Sequence, residues 1–246
     1  MKTRLKDCVN LVLAKAGYEI RRFHDRNLDP ETAHLISRVR PFSMTSQLRI
    51  EALHDAVQHV SRAGIDGAMV ECGVWKGGSA MAMALTLLAE GDLRDIYLYD
   101  TFEGMSEPTA EDRDYLGRSG ADLLAQASPK DRMWANAGLD EPVANMAATG
   151  YPMDRVRFIK GPVEETIPDQ MPESIAVLRL DTDWYKSTLH ELQHLYPQLS
   201  SGGVLIVDDY GHFDGARQAV DEYMATLERP LFLWKIDYTG RMAIKP

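Results

Sequence analysis

Residues 69–79 read Met69-Val70-Glu71-Cys72-Gly73-Val74-Trp75-Lys76-Gly77-Gly78-Ser79, and the rest of the chain repeats the pattern that they begin. A mostly apolar run, then glycines and then small residues predict a buried strand, a tight turn and the first turn of a helix. Further strands are expected at 96–99, 156–159, 175–180 and 204–207, each followed or preceded by a helical segment. Alternating strands and helices joined by right-handed crossovers form a doubly wound parallel sheet.

The two ends of the chain add to this α/β core. Apolar stretches at 231–236 and 242–245 flank a turn, which predicts a C-terminal antiparallel hairpin and a seven-stranded, mostly parallel sheet. Residues 1–46 are expected to form an N-terminal helical extension, with a basic amphipathic helix at 1–23 followed by a looser stretch at 25–46 that Pro30 and Pro41 interrupt. Residues 47–246 form the main domain, with a lid or insertion at about 101–150.

Composition limits the partners of this protein. The chain has 246 residues, of which 45% are hydrophobic and 26% charged, as expected for one sizeable globular domain. A net charge of −10 argues against broad binding to nucleic acid or anionic lipid. The apolar runs are far shorter than the ~20 residues that span a bilayer, so no membrane span is expected. We expect reduced cysteines, a cytoplasmic location and a homo-oligomer in which the N-terminal helix packs on the domain or on a second subunit.

The glycine turn is unlike the turns that bind pyrophosphate. Its spacing is G-x-x-x-G-G, whereas dinucleotide-binding turns read G-x-G-x-x-G, and Lys76 precedes the glycine pair instead of following it. Glu71, two residues before Gly73, would repel a phosphate but suits a ligand that carries an ammonium group. Free amides at the start of the helix at Ser79 suit a carboxylate. A ligand with both groups is an amino acid.

Asp100 follows the second predicted strand, where a carboxylate usually accepts hydrogen bonds from ribose hydroxyls. An amino acid together with a ribose indicates S-adenosylmethionine as the cofactor.

Four aspartates follow the fourth and fifth predicted strands. Asp181, Asp208 and Asp209 are expected at the carboxyl edge of the sheet, where ligands bind in open α/β folds. Carboxylates that converge there repel one another unless a cation lies between them, and oxygen-only ligands favour Mg²⁺. A metal-held hydroxyl could then lose its proton to Asp183, two residues beyond Asp181.

Two short patterns suggest other chemistry. Residues His190 to His194 match the zinc-protease pattern H-E-x-x-H, but the apolar stripe of this helix predicts that both histidines face solvent on the opposite side. Asp181-x-Asp183 also matches the D-x-D of metal-dependent glycosyltransferases. That alternative stays open, as does a non-catalytic protein that binds S-adenosylmethionine.

Four segments together resemble the macrocin O-methyltransferase (TylF-type) family, and the resemblance extends over about 41–223. The segments are Val70–Ser79, Tyr99-Asp100-Thr101-Phe102-Glu103-Gly104-Met105, Leu180-Asp181-Thr182-Asp183-Trp184-Tyr185 and Val207-Asp208-Asp209-Tyr210-Gly211. The resemblance implies the class I S-adenosylmethionine methyltransferase fold and Mg²⁺-dependent methylation of a sugar hydroxyl on a natural product.

The same resemblance implies roles for individual residues. Asp181, Asp208 and Asp209 would hold the metal, and Asp183 would be the general base. Cofactor contacts are expected from Met44, Thr45, Glu71, Gly73, Val74, Trp75, Ser79, Asp100, Thr101 and Glu164. The acceptor is expected to be a small molecule, namely a glycoside. The insertion would shape the pocket that binds the acceptor, but it carries no sequence pattern that identifies the acceptor.

Overall fold

The computed structural model describes residues 28–128 and 132–246, so the helix expected at 1–23 lies outside the described residues. The chain divides into two compact units, Met1–Ala33 and His34–Pro246, and the second contains the sheet and the pocket described below. The expected division between residues 46 and 47 stays a prediction. In the described part of the chain, no helix combines the length and the apolar character needed to cross a membrane.

A seven-stranded mixed sheet forms the centre of the second unit, as predicted. The strands are β1 (Ala68–Cys72), β2 (Ile96–Asp100), β3 (Val156–Lys160), β4 (Ile175–Leu180), β5 (Leu199–Val207), β6 (Trp234–Lys235) and β7 (Arg241–Ile244). Their order across the sheet is β3-β2-β1-β4-β5-β7-β6. Strands β1 to β5 pair in parallel and β7 pairs antiparallel with both β5 and β6. From β1, the strands β2 and β3 are added on one side of the sheet and β4 and β5 on the other. The strand order therefore reverses between β1 and β4, and ligands bind at this switch point in such sheets.

The helices cover both faces of the sheet. They are α1 (Pro30–Val39), α2 (Gln47–Arg62), α3 (Gly78–Glu90), α4 (Gly120–Gln126), α5 (Asp140–Ala147), α6 (Val163–Thr166), α7 (Tyr185–Leu195) and α8 (Asp214–Ala225). Helices α2 and α3 pack together, and α7 packs on α8. All five residues of β1 and all six of β4 are buried, because a parallel strand covered by helices on both sides has no solvent face.

The stretch 28–46 is more regular than the sequence predicted. Pro30 was expected to interrupt it, but this residue starts α1, since proline is well tolerated in the first turn of a helix. Asp29 caps that turn: its Oδ1 accepts hydrogen bonds from the backbone N–H groups of Glu31 and Thr32 at 2.9 and 3.0 Å.

Several element boundaries also differ from the predicted ones. Strand β5 starts at Leu199, five residues before the predicted start at 204, because Leu199 already pairs with Ile175 of β4. The register shifts between Leu199 and Val204, where Gly202 and Gly203 exchange backbone hydrogen bonds with Lys245. Helix α7 ends at Leu195, since Pro197 lies in a 3-10 turn that follows it. The first strand of the hairpin contains only Trp234 and Lys235.

Candidate active site

The turn between β1 and α3 brings the ends of β1 and β4 together. Gly73 has a φ of 86°, and a Cβ atom at this position would collide with the carbonyl oxygen of Asp181. Gly77 has a φ of 83° and is the N-cap of α3, which begins at Gly78 and not at Ser79 as predicted. The turn and the acidic loop after β4 therefore form one site.

Asp100 holds the turn in place from the end of β2. Its Oδ2 accepts hydrogen bonds from the backbone N–H groups of Val74 and Trp75 at 2.7 and 2.9 Å. Its Oδ1 accepts from the N–H of Phe102 at 2.7 Å. The carboxylate thus fixes two backbone segments at the pocket, and it also lines the pocket itself.

A buried arginine occupies the space below the turn. Arg179 lies opposite Glu71 in the pairing of β1 and β4, and its Nη1 is 2.6 Å from Glu71 Oε1. Its Nη2 is 2.7 Å from Asp181 Oδ2 and 2.9 Å from Asp208 Oδ1. Burial raises the pKa of Glu71 to about 8, although the positive charge of Arg179 opposes this shift. One guanidinium therefore neutralises acids from three strands.

Three of the acids at this edge converge as the sequence predicted. Asp181, Asp208 and Asp209 each offer one oxygen atom, and these atoms lie within 4.8 Å of one another. Asp208 and Asp209 are buried, and Oδ2 of Asp209 has no hydrogen-bond partner among the described residues. Burial is the main cause that raises the pKa of both, and the neighbouring acids add to it. Such a set of oxygens fits a hard divalent cation.

Helix α2 and the segment before it supply two further partners of Asp208. Thr45 Oγ1 donates a hydrogen bond to Asp208 Oδ2 at 3.0 Å, and the guanidinium of Arg49 forms an ion pair with the same oxygen. The Nε of Arg49 also lies 3.1 Å from Asp237 Oδ2, in the turn before β7. These contacts tie the N-terminal part of the domain and the C-terminal hairpin to the acidic cluster.

Asp183 lies beside the cluster in an unusual backbone conformation. Its φ is 65°, in the left-handed region that non-glycine residues rarely occupy, and strain of this kind concentrates at functional sites. The side chain is partly buried and lines the pocket. Burial and the nearby charges of Asp181 and Asp208 raise the pKa of this carboxyl well above its usual value.

One pocket brings together most of the residues that the sequence singled out. Those lining it are Met44, Thr45, Gly73, Trp75, Asp100, Thr101, Glu164, Asp181, Asp183, Asp208 and Asp209. Glu71, Val74 and Ser79 are buried and do not line it. The carboxylate of Glu71 is directed at Arg179, so a contact between this carboxylate and a ligand's ammonium group stays a prediction.

Aromatic side chains from three segments meet at the mouth of the pocket. His212 and Tyr238 line it, and Tyr238 Oη lies 3.2 Å from His212 Nδ1. The ring of Tyr115, which belongs to the insertion, is centred 5.2 Å from that of His212. Tyr115 is 58% exposed and Tyr238 is 60% exposed, so both rings offer open faces. Met105 and Met133, also from the insertion, add apolar lining.

The prediction for the H-E-x-x-H helix was wrong in one respect. His190 and His194 are partly buried and not solvent-facing: His190 Nε2 lies 3.0 Å from the carbonyl oxygen of Ile167, and the two rings are centred 4.4 Å apart. Glu191 is fully buried on the core side of α7. The helix turns its glutamate inward, which the apolar stripe did not indicate.

Sequence reasoning missed Arg49, Arg179, His212 and Tyr238. Arg179 had a signal, because a charged residue inside the otherwise apolar strand 175–180 must find a buried partner, and Glu71 interrupts the neighbouring strand. Arg49, His212 and Tyr238 lie on helix and loop segments where charged and aromatic residues are ordinary, so they had no such signal.

The sheet order, the hairpin and the pocket at the carboxyl ends of β1 and β4 define a class I S-adenosylmethionine methyltransferase fold. The TylF (macrocin-O-methyltransferase) family matches residues 24–243, and the chain belongs to this family of methyltransferases.

Comparison with individual proteins agrees with this class. The chain is 36% identical over 203 residues to 8-demethyl-8-(2,3-dimethoxy-alpha-L-rhamnosyl)-tetracenomycin-C 4'-O-methyltransferase of Streptomyces olivaceus, covering 80% of this chain and 73% of the relative. It is 33% identical over 201 residues to demethyldecarbamoylnovobiocin O-methyltransferase of Streptomyces niveus, covering 78% and 71%. The solved structure of the O-methyltransferase NovP superposes with a TM-score of 0.72 at 30% identity, covering 83% of this chain and 82% of that one. The protein is an O-methyltransferase, so the glycosyltransferase and non-catalytic alternatives are set aside.

Proposed function

We propose that this enzyme transfers the methyl group of S-adenosylmethionine to a sugar hydroxyl of a natural-product glycoside, with Mg²⁺ as its metal. The observation that carries the proposal is the convergence of Asp181, Asp208 and Asp209 beside the Gly73 turn. The similarity to an enzyme whose name specifies a rhamnosyl substrate supports a sugar as the acceptor.

The donor atoms present fit a magnesium ion. All three candidate ligands are carboxylates, and the unpartnered Oδ2 of Asp209 leaves a buried acceptor that a cation would satisfy. When bound at Asp181, Asp208 and Asp209, the ion would lower the pKa of an acceptor hydroxyl. The two arginines beside the cluster balance part of its negative charge and hold the ligand carboxylates in place.

The pocket also suits the cofactor. S-adenosylmethionine, when bound, supplies the methyl group, and its sulfonium and ammonium charges are complementary to a pocket lined by several acids. Trp75 and Asp100 would contact it on the side of the turn, and Met44, Thr101 and Glu164 line the remaining wall. Because the transfer step removes the sulfonium charge, the acids favour the cofactor over its demethylated product.

We assign to Asp183 the role of accepting the acceptor's proton. With S-adenosylmethionine and an acceptor bound, the methyl group would pass from sulfur to the acceptor oxygen, the electron pair of the carbon–sulfur bond would stay on sulfur, and the hydroxyl proton would pass to the Asp183 carboxylate. Burial, the largest cause of the shift, raises the pKa of this carboxyl, which favours uptake of a proton compared with an exposed aspartate. The left-handed backbone at this residue directs its side chain to the pocket beside the metal ligands.

The aromatic mouth formed by Tyr115, His212 and Tyr238 is the surface we assign to the acceptor. Flat rings with open faces bind the apolar faces of sugars and aglycones, and the methionines of the insertion extend this apolar surface. The cytoplasmic location and the homo-oligomeric assembly expected from the sequence stay predictions.

Two measurements test this function. Calorimetry with S-adenosylmethionine and with UDP-sugars, each with and without MgCl₂, should detect binding of the first only. Mass spectrometry of a panel of rhamnosyl glycosides should then detect Mg²⁺-dependent addition of one methyl group, which EDTA abolishes. Binding of UDP-sugar without binding of S-adenosylmethionine would be incompatible with the proposal.

An isosteric variant tests the role of Asp183. Asp183→Asn should keep the affinity for S-adenosylmethionine and lose roughly 10²–10⁴-fold in kcat, as expected when a general base is removed. Asp154→Asn is the matched control, because Asp154 is exposed and does not line the pocket. Undiminished turnover in Asp183→Asn would remove it as the base.

A further inference from the structure

Glu191 is a buried acid to which the reaction described above assigns no role. It is the glutamate of the H-E-x-x-H pattern on α7, has 0% exposure and does not line the pocket. Glutamate is almost never fully buried unless other groups engage it, because burial without a partner costs several kcal/mol. The contacts of this side chain therefore indicate why it lies inside.

The side chain of Glu191 contacts the acidic loop that follows β4. Thr182 Oγ1 donates to the carboxyl group of Glu191, at 3.0 Å from Oε1 and 3.2 Å from Oε2. The Cys72 side chain, at the end of β1, also interacts with Glu191, and this interaction lowers the pKa of Glu191 slightly against the larger effect of burial. Burial raises the pKa of Glu191 well above its usual value, which favours the uncharged form of this hydrogen-bonded group.

Thr182 stands between the metal-ligand candidate Asp181 and the base candidate Asp183. Its carbonyl oxygen accepts hydrogen bonds from the N–H of Trp184 at 2.7 Å and from Ser187 Oγ at 3.4 Å. The N–H of Asp181 donates to the carbonyl oxygen of Cys72 at 2.9 Å. The loop is thus held at both ends by its backbone, and within 28–128 and 132–246 the Thr182 hydroxyl is hydrogen-bonded to Glu191.

This contact lies next to the strained residue. Asp183 has a φ of 65°, a conformation that is strained for a residue other than glycine and persists only when surrounding contacts enforce it. Without an anchor at Thr182, the loop could relax toward an ordinary conformation, and the Asp183 carboxyl would turn away from the pocket.

We propose that Glu191 is a positioning residue that, through Thr182, fixes the Asp181–Asp183 loop in its strained conformation and keeps Asp183 directed at the acceptor. The catalytic part of this inference rests on the proposed function, since it takes Asp183 as the base. The structural part, that Glu191 anchors the loop, does not depend on it.

Four variants separate the anchor from general stability. Glu191→Met and Thr182→Val remove the contact from either side while keeping the volume, and Glu191→Gln and Thr182→Ser preserve it. Thr188→Val is the matched control, because Thr188 is a buried residue in the first turn of the same helix. Each full-length variant is measured by hydrogen–deuterium exchange of peptides that cover 181–185, and by thermal unfolding.

The expected result is at least tenfold faster exchange of the amides of Asp181 and Trp184 in Glu191→Met and Thr182→Val, and exchange within twofold of the wild type in the other three. With an acceptor in hand, kcat should fall at least tenfold in the same two variants while KM for S-adenosylmethionine stays within twofold, and Glu191→Gln should restore kcat.

Unchanged exchange in both disruptive variants overturns the proposal. Faster exchange throughout the protein, in step with a lower Tm, also overturns it, since Glu191 would then be an ordinary core residue. If the exchange pattern is as expected but wild-type protein transfers no methyl group, the anchor stands and the proposed function fails.

Discussion

Replacing Arg179 with methionine tests the electrostatic basis of the site. The guanidinium is 2% exposed and lies within 2.9 Å of oxygens from Glu71, Asp181 and Asp208. Removing one partner of a buried ion pair costs about 3–5 kcal/mol, because the remaining charges stay buried without compensation. For a domain of this size about 1 kcal/mol corresponds to 2–4 °C in Tm, so Arg179→Met should lower Tm by roughly 6–20 °C.

The control for this experiment is a second ion-paired arginine. Arg62 forms an ion pair with Glu90, but its side chain is 63% exposed, so Arg62→Met should lower Tm far less than Arg179→Met does. Thermal unfolding followed by circular dichroism measures both variants in the same buffer with EDTA. MgCl₂ should raise the Tm of Arg179→Met more than that of the wild type, since a cation at the carboxylates replaces the lost positive charge. A Tm for Arg179→Met equal to that of Arg62→Met would refute the reasoning.

Three further predictions follow from the site. Gly73→Ala should abolish S-adenosylmethionine binding in calorimetry or prevent folding, because its Cβ would collide with the Asp181 carbonyl at a φ of 86°. Tyr238→Ala should raise KM for the acceptor roughly 2–12-fold, as expected from the loss of ~0.5–1.5 kcal/mol of ring contact, and it should leave the affinity for S-adenosylmethionine unchanged. Phe232→Ala, an exposed control, should change neither the KM for the acceptor nor this affinity. In EDTA, the free energy of unfolding should fall as pH rises from about 5 to 8, a trend measured by urea titration. Glu71 and Asp183 have folded-state pKa values above their unfolded ones, so the folded state binds more protons and its stabilisation is lost as pH rises. A flat profile, or one that rises with pH, would contradict this assignment.

The sequence predicted the fold well where the signal is local. The run from Ala68 to Cys72 and the glycines after it have the composition of a buried strand and a tight turn, whatever surrounds them. The acids Asp181, Asp208 and Asp209 could be assigned to one sheet edge because parallel strands end at the same edge. Prediction failed for the helix at Pro30–Val39, where proline was taken as a break although it is compatible with a first helical turn.

Side-chain partners far apart in sequence could not be predicted in the same way. Glu71 and Arg179 are separated by 108 positions, and Arg49 and Asp208 by 159. Sequence spacing says nothing about whether such groups meet, because the meeting depends on the register of β1 against β4 and on the packing of α2 over the sheet edge.

The sequence alone therefore determined the alternation of strands and helices, the glycine turn of residues 69–79 and the position of acids at strand ends. Only the tertiary structure decided what those acids do. It directed Glu71 to Arg179 and away from the pocket, turned Glu191 inward beneath Thr182, and assembled the aromatic mouth from three segments. The physical reason is that burial and charge pairing, which set the protonation of a carboxyl group, are properties of neighbours in space and not of neighbours in the chain.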